Sequence, residues 1–267
     1  MSHLLRSHAP ISSEAWRVID EETHDRLIPS LAARRLVDFS GPLGWGYSST
    51  TFGRVTEVEP PVEGLRSAQR VVVPVVELRA DFTIARSQLR DLERDARGID
   101  LGSLDEAAER IARAENISVL DGWAAAGIAG IAESSSIPPL SVGADYSTYP
   151  AVVAHGVEQL LSGGVDGPFA LALAPEAYTG VLESTERGGL LVLDHLREIL
   201  GGPIVRAPGL VGAVVLSMRG GDFLFESGQD LSVGYDRYDA DELHLFIEES
   251  FTFRVVTPEA AVRMTTV

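Results

Sequence analysis

Six histidines, His3, His8, His24, His155, His195 and His244, are the first side chains of this sequence that could do acid–base or metal chemistry. Their spacing supports neither. No HExxH pair occurs, and no cluster of histidine with carboxylates is expected. His244 lies in an alternating, strand-like run and reads as a structural or surface residue. Asp194-His195 has the types of an acid–base pair, but adjacent helical residues do not face one another. Glu248-Glu249 has the types of a carboxylate pair. In a strand the two point to opposite faces, which predicts a solvated or interface role. Serines are plentiful, yet no G-x-S-x-G elbow is present. There is no phosphate-binding G-x-x-x-x-G-K-[ST], and Arg219-Gly-Gly-Asp222 lacks the following helix of a dinucleotide fingerprint, so it reads as a turn between strands. With no cysteine, disulfides, thiolate metal sites and cysteine nucleophiles are excluded. The chemistry predicts no catalytic residue and no metal, and therefore no enzyme.

The surrounding elements follow from periodicity. Residues 12–37 read as helical. Ser12 or Ser13 can cap the start, Glu14 suits the positive end of the helix dipole, and Trp16, Ile19, Thr23 and Leu27 recur at helical spacing. Pro29 breaks or kinks this run. In the piece beyond it, Arg34 and Arg35 read from pattern alone as a solvated face. Gly41-Pro42-Leu43-Gly44 ends the helical region. From Tyr47 to Leu78 the chain is extended, split by Pro60-Pro61, with Pro74 inside the second run. Proline removes a ladder donor, so an arm or edge is predicted rather than a central strand. Such a hairpin builds no core alone, and a neighbouring subunit is the natural cover.

Strand Glu77 to Phe82 is expected to pass into a helix from Ile84 to Arg97, stopped by Gly98. Ser103-Leu-Asp-Glu106 has the form of a capping box. It would open a long Ala-rich helix to about Ile131, whose Gly122, Gly127 and Gly130 suggest close packing on a sheet. Beyond the 134–139 loop, helices at Tyr149–Leu161, from Pro175, and at Leu191–Leu200 alternate with strands Phe169–Leu173 and Val211–Leu216, a mixed α/β unit. Leu243, Leu245 and Ile247, then Phe251 and Phe253, alternate as a half-buried strand. An acidic turn (Asp236, Asp239, Asp241, Glu242) joins it to a strand carrying Tyr235. The fold class is α+β.

At 267 residues the chain is long enough for one large or two small domains. Its 39 acidic and 22 basic residues give a net charge of −17. Such a chain repels nucleic acid, because phosphate binding requires Lys and Arg to displace counterions. No run of about 18 apolar residues predicts a membrane span, and no apolar run follows the basic N-terminal residues as a secretory signal requires. The expected location is the cytoplasm.

Several ordered motifs resemble the encapsulin shell proteins, the linocin-like bacterial nanocompartment family. They are Leu4-Leu5-Arg6, Ala9-Pro10-Ile11, Trp16 with Ile19-Asp20, Ala33-Arg34-Arg35-Leu36-Val37-Asp38, Gly41-Pro42 and Gly44-Trp45. Glu77-Leu78-Arg79-Ala80, Asp91-Leu92-Glu93-Arg94, Gly167-Pro168, Ala207-Pro208, Gly228–Tyr235 and Thr257-Pro258-Glu259-Ala260 continue the series. The resemblance implies the tailed-phage major capsid protein fold: an N-terminal helical arm (1–44), an extended loop (45–77), a peripheral domain with a spine helix (78–134 and 215–267) and an axial domain (135–214). It implies a self-assembling icosahedral shell that encloses a cargo enzyme, such as a dye-decolourising peroxidase or a ferritin-like protein, through a C-terminal targeting peptide. Carried over residue by residue, that peptide would meet Leu31, Arg34, Asp38, Phe39, Asp230, Leu231, Ser232 and Tyr235. A pore loop at the five-fold axis would comprise Glu183, Ser184, Thr185, Glu186, Arg187, Gly188 and Gly189. Some relatives hold a flavin against a tryptophan where this chain has Ser87, so no cofactor is expected. The alternative is a phage or prophage major capsid protein, and behind it a hydrolase of bacteriocin type.

Overall fold

Ser12 opens the first helix: its hydroxyl accepts the Ala15 amide at 3.2 Å, and α1 (Ser13–Leu27) stops just before Pro29. The computed structural model describes residues 3–266 apart from Asp95, Arg97 and Arg187. After α1 come β1 (Asp38–Ser40), β2 (Ser49–Val58), β3 (Ser67–Pro74), β4 (Val76–Ala85), α2 (Arg86–Leu92), α3 (Gly102–Leu120) and α4 (Ile131–Ser134). Then follow β5 (Leu140–Val142), α5 (Tyr149–Ser162), β6 (Phe169–Leu173), α6 (Pro175–Glu183), α7 (Val192–Leu200) and β7 (Gly201–Arg206). The chain closes with β8 (Ala213–Ser217), β9 (Phe223–Ser227), β10 (Ser232–Tyr238), β11 (Glu242–Val255) and β12 (Ala261–Thr266).

Two sheets carry the two cores. In the first, the long β11 pairs with β4 along one edge, and with β10 and then β9 along the other, while β1 adds to β9. Its inward residues Phe82, Ile84, Leu243, Leu245 and Ile247 pack against Ile19 and Leu27 of α1 and Leu104 and Ile111 of α3. The second sheet runs β5-β12-β8-β6-β7, with Val153 and Leu160 of α5 and Leu196 and Leu200 of α7 over Leu171, Val215 and Val262. The expected boundary between residues 214 and 215 therefore falls inside β8. β12 pairs antiparallel with β8 and returns the C-terminal strand to the second sheet. β2 and β3 form a separate two-stranded hairpin. Pro74 sits at its end, opposite Ser49, where its missing donor costs least.

Four local expectations change. The strand into β4 extends to Ala85, because Thr83 and Ile84 pair with His244 and Leu243; only Arg86–Leu92 is then left to be helical. The Ser103–Glu106 capping box does not form. α3 starts one residue earlier, and Ser103 instead donates its hydroxyl to the Thr83 carbonyl, tying α3 to β4. α3 also ends at Leu120, not near Ile131. Gly122 takes φ +110°, and its amide folds back to Ile117 O at 2.8 Å. Gly130 packs so closely that an added Cβ would lie 2.2 Å from Gly122 N, so these glycines end the helix rather than lengthen it. Finally, Leu31–Val37 forms only a short 3₁₀ turn at Ala33–Arg35 before β1.

Asn116, near the C-terminal end of α3, ties the segment after α1 to the segment after β7. Its Oδ1 accepts Ala33 N at 2.9 Å, and its Nδ2 donates to Ser30 O at 2.8 Å and Pro208 O at 3.2 Å. Asn116→Ala removes all three bonds at once and leaves the buried Ala33 amide without a partner, while Ser30 O keeps Ala32 N at 3.0 Å. A loss of about 3 kcal/mol is expected in guanidinium unfolding; a midpoint unchanged from wild type refutes the tie.

Candidate functional site

The last turns of α1 and the start of β10 face each other across an open groove of ≈ 470 Å³. One wall is Asp20, Thr23, His24 and Leu27 of α1, with Ile28 and Leu31 after it; the other is Asp230, Leu231, Ser232 and Val233. Leu4 and Arg6 close one end. The helix forms this wall because its Ile19–Thr23–Leu27 stripe is buried in the core, which turns Asp20 and His24 outward. Leu27 is 4% exposed and Ile28 55% exposed, so the wall changes from core to open apolar surface within one residue. Arg6 chelates Asp20 at 2.6 and 2.9 Å and lies 4.0 Å over the Trp16 ring. Leu4 O accepts Tyr235 N at 2.8 Å, which binds the N-terminal segment to the outer edge of β10.

Below the groove lies a dense ion network. Arg34 meets Glu115 through Nε (2.7 Å), Asp230 through Nη1 (2.6 Å) and Glu249 through Nη2 (2.9 Å). The side chains of Glu115 and Glu249 are 0% and 1% exposed, whereas Asp230 is 39% exposed. Burial alone would lower the guanidinium's pKa, but the charges of Glu115, Glu249 and Asp230 outweigh it and hold Arg34 above its ordinary value. Burial pushes both glutamates up, Glu249 well up, since neither charge can reach water. The solvated role expected for Glu248-Glu249 is thus corrected. β11 is covered on both faces: Glu249 meets Arg34, and on the opposite face Glu248 meets His3 at 2.6 Å, with the His3 ring stacked on Trp45 at 3.8 Å. The solvated reading of Arg34 is corrected for the same reason, while Arg35 is exposed.

Of the residues proposed for the peptide, Leu31, Arg34, Asp230, Leu231 and Ser232 line the groove. Asp38, Phe39 and Tyr235 do not. Asp38 accepts the Gly221 amide at 2.6 Å and lines a separate small cavity. Phe39 stacks on Phe225 at 5.4 Å, and Tyr235 is 7% exposed within the α1–α3 core. Leu4, Arg6, Asp20, Thr23, His24, Leu27, Ile28 and Val233 were missed. The one available signal was the helical stripe of residues 16–27, whose flank, one step off the buried positions, must face something. Asp230 Oδ1 accepts Leu231 N (2.8 Å) as well as Arg34, and Ser232 Oγ donates to Asp230 O (2.7 Å), so this wall is held from beneath.

Of the 183–189 segment, Glu183 is the last residue of α6, and the loop proper begins at Ser184. Thr185 bridges to Leu191, Glu186 N donates to Leu190 O at 2.8 Å, and Gly188 and Gly189 take φ +120° and +87°. His195 Nδ1 lies 2.8 Å from Glu186 Oε1, so its carboxylate partner comes from this loop and not from Asp194, which bonds Arg197. Arg187 lies outside the described residues. The expected lack of histidine–carboxylate clusters also needs correction: Asp239, Glu242 and His244 offer ligand atoms within 4.8 Å of one another. Asp239 there accepts the Asp241 and Glu242 amides (3.0 and 2.8 Å) and lies 3.0 Å from His244, so the grouping builds the β10–β11 turn. Ser87 is exposed on α2, a helix with no aromatic residue. No helix of the described residues is long and apolar enough to cross a membrane.

Known proteins similar to this chain are shells and capsids. Residues 1–252 match the model of the family described as encapsulating protein for peroxidase, Linocin_M18. A type 1 encapsulin shell protein of Rhodospirillum rubrum is 43% identical over 98% of this chain and 96% of its own length. That of Mycolicibacterium paratuberculosis is 38% identical over 99% and 100%. The virus-like particle of Pyrococcus furiosus superposes with a TM-score of 0.65 at 16% identity, covering 93% of this chain and 98% of that one. The capsid of Myoviridae phage XM1 gives 0.55 at 12% identity over 88% and 90%. These structures establish the capsid-type fold.

Proposed function

The chain belongs to the encapsulin family of shell proteins, and from that membership we propose that it assembles into a closed icosahedral shell whose subunits each hold the C-terminal tail of a cargo enzyme in the α1–β10 groove. The observation that carries the groove assignment is its form: an open, half-apolar trough beside β10, an edge strand of the first sheet. An extended peptide gains backbone hydrogen bonds along the stretch of that edge which Leu4 does not take, and its alternate apolar side chains lie against Leu27, Leu31 and Leu231. The family description favours a peroxidase as cargo; a ferritin-like enzyme with a similar tail fits the same groove chemistry. The acidic balance of the chain argues against packaged nucleic acid. The 183–189 loop, with exposed Leu190 and Leu191 beside it, is the proposed pore edge where copies meet.

The reading is tested by electron microscopy of purified protein and by co-expression with a fluorescent protein ending in a Gly/Leu/Ile-rich tail. Closed particles carrying the reporter are expected. Leu231→Asp puts a carboxylate against the apolar tail. It should leave assembly intact and cut loading about tenfold or more, the penalty of burying an unpaired charge. Equal loading by Leu231→Asp and wild type sinks the groove assignment; a monomer without particles sinks the shell.

A further inference from the structure

One guanidinium below the groove serves three carboxylates. If all three were ionised, Arg34 would face a net excess of two negative charges, with Glu115 and Glu249 cut off from water. Each of those two carboxyls is left with one buried oxygen, Oε1, that has no donor among the described residues. Both carboxyls lie against the same guanidinium, Glu115 on Nε at 2.7 Å and Glu249 on Nη2 at 2.9 Å, so each acts on the charge of the other. Two carboxylates in that position repel; a carboxyl and a carboxylate bond, and a single proton then provides the missing donor.

We propose that Glu115 and Glu249 are positioning residues of the groove: one proton shared between their carboxyls leaves Arg34 free to hold Asp230, and Asp230 in turn fixes the Leu231 wall. The functional meaning of this role rests on the cargo-groove reading. Four charged groups meet here, Glu115 from α3, Glu249 from β11, Arg34 from the segment after α1 and Asp230 from the β9–β10 connection. Asp230 Oδ1 takes Arg34 Nη1 and the Leu231 amide together. When the proton leaves, a second full charge appears beside Arg34 in a water-free place, and the guanidinium is drawn toward the glutamates. Asp230, the half-solvated partner, is the contact that weakens.

The direction with pH follows from burial, which raises both carboxyls above their ordinary value of 4.5. The folded chain keeps a proton that the unfolded chain has already released. Stability and wall order therefore decline as pH rises above 4.5 and level off once the pair has ionised. Glu249→Gln supplies the amide donor permanently and carries no charge, so it should keep the wall and abolish the dependence. Glu115→Gln is the mirror variant and stands in if the first fails to fold.

Intact shells are measured in two ways. Infrared spectra of wild type at neutral pH should contain a carboxylic-acid C=O band that is absent from Glu249→Gln. Hydrogen exchange of the 228–235 segment, corrected for intrinsic rates, should show wild-type protection falling about tenfold as the pair ionises on raising the pH above 4.5, while both Gln variants hold within about twofold. A merely structural glutamate gives neither the band nor the rescue of the pH profile. Absence of the band in wild type, or the same alkaline loss in the variants, overturns the inference. Neither readout needs cargo. Shells that load the tailed reporter but lack the band sink the positioning role alone. Shells that behave as stated yet never load the reporter sink the groove reading and leave the positioning role standing.

Discussion

Arg34→Met is expected to destabilise the subunit by about 3–5 kcal/mol, the cost of leaving buried carboxylates without their cation. Three bonds of 2.6–2.9 Å disappear together. The guanidinium also lies 5.0 Å from the Phe39 ring and 5.5 Å from Phe225, so its loss loosens the aromatic stack Phe39–Phe225–Phe251. The network joins four segments: the arm, α3, the β9–β10 loop and β11. The damage should therefore appear in cooperative unfolding rather than as local fraying. Arg34→Lys is expected to recover less than half, because a single ammonium cannot reach three carboxylates in one plane. The check is the guanidinium midpoint of both variants; midpoints within about 0.5 kcal/mol of wild type would falsify the network's role in stability. Removing Glu249 as well should restore part of the loss, since the uncompensated charge, not the missing bond, dominates.

Deleting residues 49–74 should abolish shells while leaving a folded subunit. The β2–β3 hairpin exposes Phe52 (42%), Val55 (63%), Val62 (61%), Leu65 (59%) and Val72 (51%). Among the described residues its polar ties to the body are few, with Arg254 donating to Thr51 O at 2.6 Å and lying 5.8 Å from the Phe52 ring, and only Thr50 and Val73 at its base are buried. Neither core contains a hairpin residue. Ser48 O already accepts Val75 N at 2.9 Å, so a short glycine link can close the gap without strain. Each apolar side chain buried between subunits contributes about 1–2 kcal/mol to assembly, so losing the set removes most of the contact energy of this arm. Light scattering should show a small species with a cooperative unfolding transition. Full-size particles from the deleted chain refute the assignment of the hairpin to subunit contacts.

Much of the fold was legible from periodicity. The Ile19–Thr23–Leu27 stripe, the Phe169–Leu173 strand and Leu243, Leu245, Ile247, Phe251 and Phe253 are buried as expected, whereas Trp16 stays half-buried and β11 is buried on both faces rather than one. The proline-marked arm is a hairpin on its own, as its missing donors require. The misreadings share one cause. Ser103-Leu-Asp-Glu106 and Gly122–Gly130 have the local form of a cap and of a helix interior, but a strand and a facing turn lie where those motifs would have reached. At the candidate site, Leu31, Arg34 and Asp230–Ser232 came from a family likeness, while Asp20, His24 and Ile28 could have come from the flank of the α1 stripe. Asp38, Phe39 and Tyr235 came from the same likeness, but Asp38 is held by the Gly221 amide, Phe39 stacks on Phe225 and Tyr235 is buried in the α1–α3 core.

The sequence by itself determined the family, through an ordered set of motifs, while a coreless, proline-marked arm and a net charge of −17 follow from order and composition. The tertiary structure alone decided the site. Arg34, Glu115, Asp230 and Glu249 lie 81 to 215 positions apart where they pair, and each reads locally as a solvated charge. Only the closing of β11 against α3 and the arm removes water from them. Burial and partnership are properties of the assembled core, and no local pattern encodes them.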